Sequence, residues 1–136
     1  MKIPPSNNQP VVYFGLAADF EPSQIIDLLT DDEISKSKSF IEQQDEDLYI
    51  IARALLRKVL ASQLQLPSQK ISIAYSINGK PHLPDYPNLK FNISHADGAI
   101  AIAISSDLNI GVDIEHQDRK FEFHRLEDFL YSDSEQ

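Results

Sequence analysis

The chain has 136 residues and is acidic, with 12 Lys and Arg against 21 Asp and Glu and a formal charge of −9. That balance argues against general nucleic-acid binding. The absence of Cys excludes disulfides and thiolate metal sites and agrees with a cytoplasmic location. No apolar run approaches the ~20 residues of a membrane span, and Met1 to Pro10 is polar and Pro-rich, unlike a signal peptide.

In chain order, Pro10 to Leu16 reads as a first strand, because Val11-Val12-Tyr13-Phe14 is too apolar to be exposed on both faces. Glu21-Pro22 opens a short helix through Leu29. Thr30-Asp31-Asp32-Glu33 starts the next helix, with Thr30 as N-cap and Glu33 at the capping-box position. Asp45 to Leu64 is the clearest helix: Leu48, Ala52, Leu55, Leu56, Val59, Leu60 and Leu64 form one apolar stripe. Arg53, Arg57 and Lys58 lie off that stripe or at its edge; their plain role is solvated helix surface, preferred over ligand contact for Lys58. Pro67 ends the unit. Strands then follow at roughly ten-residue spacing. Ile71–Ser76 leads into an Asn78-Gly79-Lys80-Pro81 turn, and Lys90–Ile93 and Ala99–Ile104 form a hairpin through Asp97-Gly98. Leu108–Glu115 is a further strand and His116–Lys120 a loop. The fold expected is an α/β (α+β) domain with helices packed on one face of a mainly antiparallel sheet.

Three short motifs carry the chemistry: Asn78-Gly79-Lys80-Pro81, Phe91-Asn92-Ile93-Ser94-His95 and Gly111-Val112-Asp113-Ile114-Glu115. In the third, Asp113 and Glu115 are two apart on a strand and share a face. Two adjacent carboxylates repel unless a cation lies between them, and magnesium takes one or two carboxylates plus substrate phosphates. Alone, such a pair is more often the wet face of a strand. His95, at a strand end, can donate to a phosphate oxygen or simply cap the turn. A Ser-His-Asp hydrolase is disfavoured, because adjacent Ser94 and His95 do not normally bring Oγ onto the imidazole. In the first motif, Lys80 presents a compact cation on a turn shaped by Gly79 and stiffened by Pro81, and alone would be an ordinary solvated lysine.

In this order and spacing the motifs resemble the surfactin-type 4′-phosphopantetheinyl transferases. Asp31-Asp32-Glu33 with Lys36 and Phe40, and Arg53-Ala54-Leu55-Leu56-Arg57, resemble that family's N-terminal helices. The likeness runs from about Leu29 to about Glu135. It implies magnesium-dependent transfer of the phosphopantetheine arm of coenzyme A to a serine of an acyl or peptidyl carrier protein, with release of adenosine 3′,5′-bisphosphate. By the same resemblance, Lys36 and Lys80 contact coenzyme A phosphates, and Gly79 and Pro81 shape the nucleotide pocket. Asn92, Ser94 and His95 hold the ligand, while Asp113 and Glu115 hold magnesium. Asp113, Glu115 and His95 form the catalytic set, and Lys80 and His95 are expected to face one pocket with Asp113.

The family pattern continues into a second half bearing a Trp-x-x-Lys-Glu-type helix, whereas this sequence has no Trp and its Phe123–Glu135 stretch resembles only the opening helix of that half. The expected division is 1–118 as an N-terminal subdomain and 119–136 as the start of a second one. A chain of this length alone is then expected to be catalytically deficient and to expose an apolar face of Phe121, Phe123, Leu126, Phe129 and Leu130, favouring a homodimer. A non-catalytic module binding coenzyme A or a carrier protein is the alternative. Leu48 stands where the family often has a basic residue, and Ala96-Asp97 replaces a more usual Ser after the His.

Overall fold

A computed structural model describes residues 11–106 and 122–129. It is built on a four-stranded sheet of order β4-β5-β1-β6 with helices against one face, as the sequence pattern predicts. The strands are β1 (Val11–Leu16), β4 (Leu89–Ala96), β5 (Ala99–Ser106) and β6 (Glu122–Arg125). A separate two-stranded ladder joins β2 (Ala74–Tyr75) to β3 (Pro81–His82). The helices are α1 (Pro22–Ile25), α2 (Asp31–Ser37) and α3 (Gln43–Leu64). No helix among the described residues is long and apolar enough to cross a membrane.

Alternation along the strands sorts the sheet into two faces. Val11 and Tyr13 of β1, Ile100, Ile102 and Ile104 of β5, and Phe91 and Ile93 of β4 lie on the face that joins the helical core. Ile102 and Ile104 are completely buried there, each worth about 1.5–3 kcal/mol of transfer free energy. The buried surface of α3 is wider than a single stripe. Besides the expected Ala52, Leu55, Leu56, Val59 and Leu60 it includes Ile50, Ile51 and Ala54, because α3 packs between the sheet and the short N-terminal helices. It stops at Gln65, which takes a left-handed conformation and returns its amide to the Ala61 carbonyl at 2.7 Å.

The α2 start is the capping box expected from sequence. The Glu33 amide donates to Thr30 Oγ1 at 3.3 Å, and the Thr30 amide donates to Glu33 Oε1 at 3.0 Å. The β4–β5 hairpin turns through Asp97 and Gly98, whose φ values of 54° and 82° are the positive pair required by a two-residue turn. The Ala17 amide donates to the Gly98 carbonyl at 2.7 Å, tying this turn to the end of β1.

Three expectations need correction. Arg57 is not solvated: it is 4% exposed, with its Nε on Glu33 and its Nη1 on two backbone carbonyls. The strand expected over Ile71–Ser76 contracts to Ala74–Tyr75, since its partner is only Pro81–His82 and a proline has no N–H for the ladder. The closing segment is not helical from Phe123. Glu122–Arg125 pairs in parallel with β1, and helical backbone begins only at residue 126. Leu126 is fully buried rather than on an exposed apolar face, and Phe129 meets the Tyr13 ring edge-on at 4.9 Å. Phe121 and Leu130 fall outside the described residues.

Candidate functional site

His95 is the penultimate residue of β4, on the helix-facing side with Phe91 and Ile93, but beyond the core and exposed. It lines the rim of a cavity of about 300 Å³ between the end of β4 and the first turns of α3. Phe40, Leu48, Ala52, Leu56 and Ile93 make that cavity apolar; Asp45, Tyr49, Arg53 and His95 supply its polar groups. Burial pushes the Tyr49 hydroxyl above the ordinary phenol range, with the Arg53 guanidinium opposing.

Asn92 and Ser94 fall on the opposite face of β4 from His95, as strand alternation dictates. Ser94 instead lines a wider apolar cavity of about 830 Å³ over Phe14, Leu16 and Ala101, which His95 also borders from the strand end. A hydroxyl–imidazole dyad is therefore not built, in keeping with the sequence argument against a hydrolase.

Lys80 sits in the tight turn between β2 and β3. The Gly79 amide donates to the Ser76 carbonyl at 2.8 Å, the Ser76 amide donates to the Lys80 carbonyl at 2.9 Å, and the Lys80 amide donates to Ser76 Oγ at 3.2 Å. Gly79 has φ 86°, which explains the glycine at that corner. Lys80 lines a third cavity, of about 520 Å³, with His82 and Lys90 above an apolar floor that includes Pro81, Leu89 and Phe91. Among the described residues no acidic side chain lines it. Lys80 and His95 thus border different cavities. Lys36 is exposed on the last turn of α2, four residues before the Phe40 of the His95 cavity. Asp113 and Glu115 lie outside the described residues, among which there is no group of three His, Cys, Asp or Glu able to hold a metal ion.

Sequence reasoning passed over the polar cluster that joins these elements. The Glu33 carboxylate takes Arg57 Nε at 2.6 Å and Arg53 Nε at 3.5 Å. Arg57 Nη1 also donates to the carbonyls of Ser68 and Ile71 at 2.7 and 2.8 Å. Arg53 Nη2 donates to the Tyr75 hydroxyl, and its guanidinium lies 5.6 Å from the ring centroids of both Tyr49 and Tyr75. The signal was present: Arg53 and Arg57 are one helical turn apart and so reach the same carboxylate. Glu33 and Asp45 offset Arg53 and Arg57 in formal charge, and Arg53 is the guanidinium that reaches the His95 cavity. Arg53 and His95 can hydrogen-bond and orient an anionic ligand there; these groups offer no activated nucleophile.

Comparison with known proteins gives a consistent picture. Residues 17–107 match the family model described as 4′-phosphopantetheinyl transferase, N-terminal. Over 95 residues, the chain is 34% identical to the 4′-phosphopantetheinyl transferase ffp of Bacillus subtilis and 30% identical to Sfp of the same species, covering 70% of this chain and 42% of each relative. The human L-aminoadipate-semialdehyde dehydrogenase-phosphopantetheinyl transferase is 31% identical over 88 residues, covering 61% of this chain and 28% of that protein. The chain therefore spans less than half the length of these relatives. With a family match running from the end of β1 through β5, the chain belongs to the 4′-phosphopantetheinyl transferase N-terminal family.

Proposed function

We propose that this chain binds coenzyme A and takes part in moving its 4′-phosphopantetheine arm to a serine of an acyl or peptidyl carrier protein. The observation that carries this reading is the extent of the family match. It takes in α2 with Lys36, the Gly79-Lys80-Pro81 turn and the Asn92–His95 strand end together. In the transfer, the serine oxygen would form a bond to the phosphorus of the pantetheine phosphate. The bond from that phosphorus to the bridging oxygen would break, and adenosine 3′,5′-bisphosphate would leave. The serine proton is lost to a base.

Such a reaction depends on positioning and charge neutralisation more than on covalent chemistry by the protein. His95 would donate to a ligand phosphate; Lys80 and Lys36 would neutralise others; Gly79 and Pro81 would shape the nucleotide end, with Asn92 and Ser94 completing the contacts. Asp113 and Glu115 would hold magnesium, which as a Lewis acid polarises the pyrophosphate. The division of the chain near residue 118 belongs to the same proposal.

Mass spectrometry of an apo carrier protein incubated with the chain, coenzyme A and magnesium tests transfer; calorimetry tests binding separately. His95→Ala and Lys80→Ala should each weaken coenzyme A binding about ten- to a hundredfold, since hydrogen bonds to charged groups contribute about 1.5–3 kcal/mol. Binding without transfer would favour the non-catalytic module. No binding of coenzyme A would overturn the transfer reading and leave only a module that binds a carrier protein.

A further inference from the structure

We infer that Arg53 is a positioning residue that fixes the Lys80 turn against the His95 cavity, acting through Tyr75; the inference rests on the coenzyme A reading above. Arg53 lies on α3 with its side chain 15% exposed, in the wall of the cavity that His95 borders. Its role in charge balance is secondary. Glu33 already accepts from Arg57 at 2.6 Å and from the Thr30 amide at 3.0 Å, whereas Arg53 stands off at 3.5 Å. The closer engagement of Arg53 is with Tyr75, by a hydrogen bond to the hydroxyl and by contact with the ring face. Tyr49, one turn earlier on α3, covers the same guanidinium. The cation is thus held between an aromatic ring of the helix and one of the hairpin.

Tyr75 is the last residue of β2, paired with Pro81, so Lys80 is the residue next to its partner. The ladder of that hairpin consists of Ala74↔His82 and Tyr75↔Pro81. Its turn is bonded within itself, from Ser76 to Gly79 and Lys80. A ladder so short fixes the shape of the turn and does little to fix its place beside α3. The Arg53–Tyr75 contact supplies that placement, and with it the separation of Lys80 from His95. An arginine suits this position because its planar fork can hydrogen-bond a hydroxyl while stacking on rings, which a lysine ammonium cannot do.

The test has a ligand-free arm and a binding arm. In the first, hydrogen exchange by NMR is followed in the parent, in Tyr75→Phe, which keeps the ring and removes the hydroxyl, and in Arg53→Lys. Both variants should speed exchange of the hairpin amides while leaving those of α3 unchanged; hairpin protection equal to the parent's overturns the inference. In the second, coenzyme A affinity is measured by calorimetry in a double-mutant cycle of Tyr75→Phe with Lys80→Ala. Tyr75→Phe should lose about three- to tenfold in the parent background and nothing measurable once Lys80 is gone, the signature of two residues acting through one contact. Losses that multiply independently overturn the positioning role, even if the thermal midpoint falls. A parent that binds no coenzyme A refutes the proposed function and, with it, a role in ligand placement. The exchange arm then decides whether the tether exists.

Discussion

Arg57 carries a full charge into surroundings that leave it 4% exposed, and every donor it turns inward has an oxygen to meet. Removing the side chain would strand the Ser68 and Ile71 carbonyls and leave Glu33 with the Thr30 amide and the longer contact to Arg53. Loss of one partner of a buried pair costs about 3–5 kcal/mol, so Arg57→Met should lower the urea-unfolding free energy by about that amount. Arg57→Lys should also be destabilising, because an ammonium cannot reproduce the fork. The carbonyls that justify burying Arg57 come from 11 and 14 residues later in the chain. Local periodicity holds no trace of them, which is why the sequence reads this arginine as surface. His95 is the opposite case: its exposure at a strand end follows from the alternation Phe91, Ile93, His95 and the turn just beyond it.

Short elements depend on their ends. Replacing Thr30 with Ala removes the acceptor for the Glu33 amide and should cost about 1 kcal/mol, read as a lower melting midpoint. Gly98→Ala isolates a backbone effect, because an added Cβ would meet nothing within 4 Å while φ stays at 82°. The expected loss is about 1–2 kcal/mol, measured by chemical denaturation. These ends were legible from sequence because their chemistry is local: a Thr three residues before a Glu, an Asp-Gly pair between apolar runs. The long helix was legible from its stripe, although not the full width of its buried surface. The turn at Gly79 and a strand before it were legible, but the short extent of β2 and the whole of β6 were not, since a strand exists only by virtue of its partner. For β6 that partner is β1, more than a hundred residues earlier.

At the scale of the whole molecule, β6 lies beside β1 at one side of the described sheet, and Gly15 of β1 is where the residues after β6 pack closely. A Cβ on Gly15 would stand 3.2 Å from Leu126 Cβ and 3.4 Å from Glu127 Oε1. A hydrogen bond from its own backbone amide holds the Glu127 carboxyl below the usual carboxylate range, with Arg125 adding to this and partial burial opposing it. A depressed folded-state value means the contribution is complete above the unfolded carboxylate range and is lost as pH falls through the folded value. The stability gap between the parent and Glu127→Gln should therefore be present at neutral pH and close on acidification, as followed by denaturation at stepped pH. The sheet order has one more consequence, for the chain as it is made. Among the described residues, β1 pairs with β5 on one side and β6 on the other, while β4 is bonded only to β5. At ~5–20 residues per second of synthesis, Val11–Leu16 emerges roughly 4–17 s before the first residues of β5. During that interval the apolar row of β1 has no strand beside it, and α3, whose helical backbone hydrogen bonds are all local, is the surface it can shelter against. A nascent chain halted before Ala99 should thus be the form most in need of a chaperone, and addition of β5 should end that need.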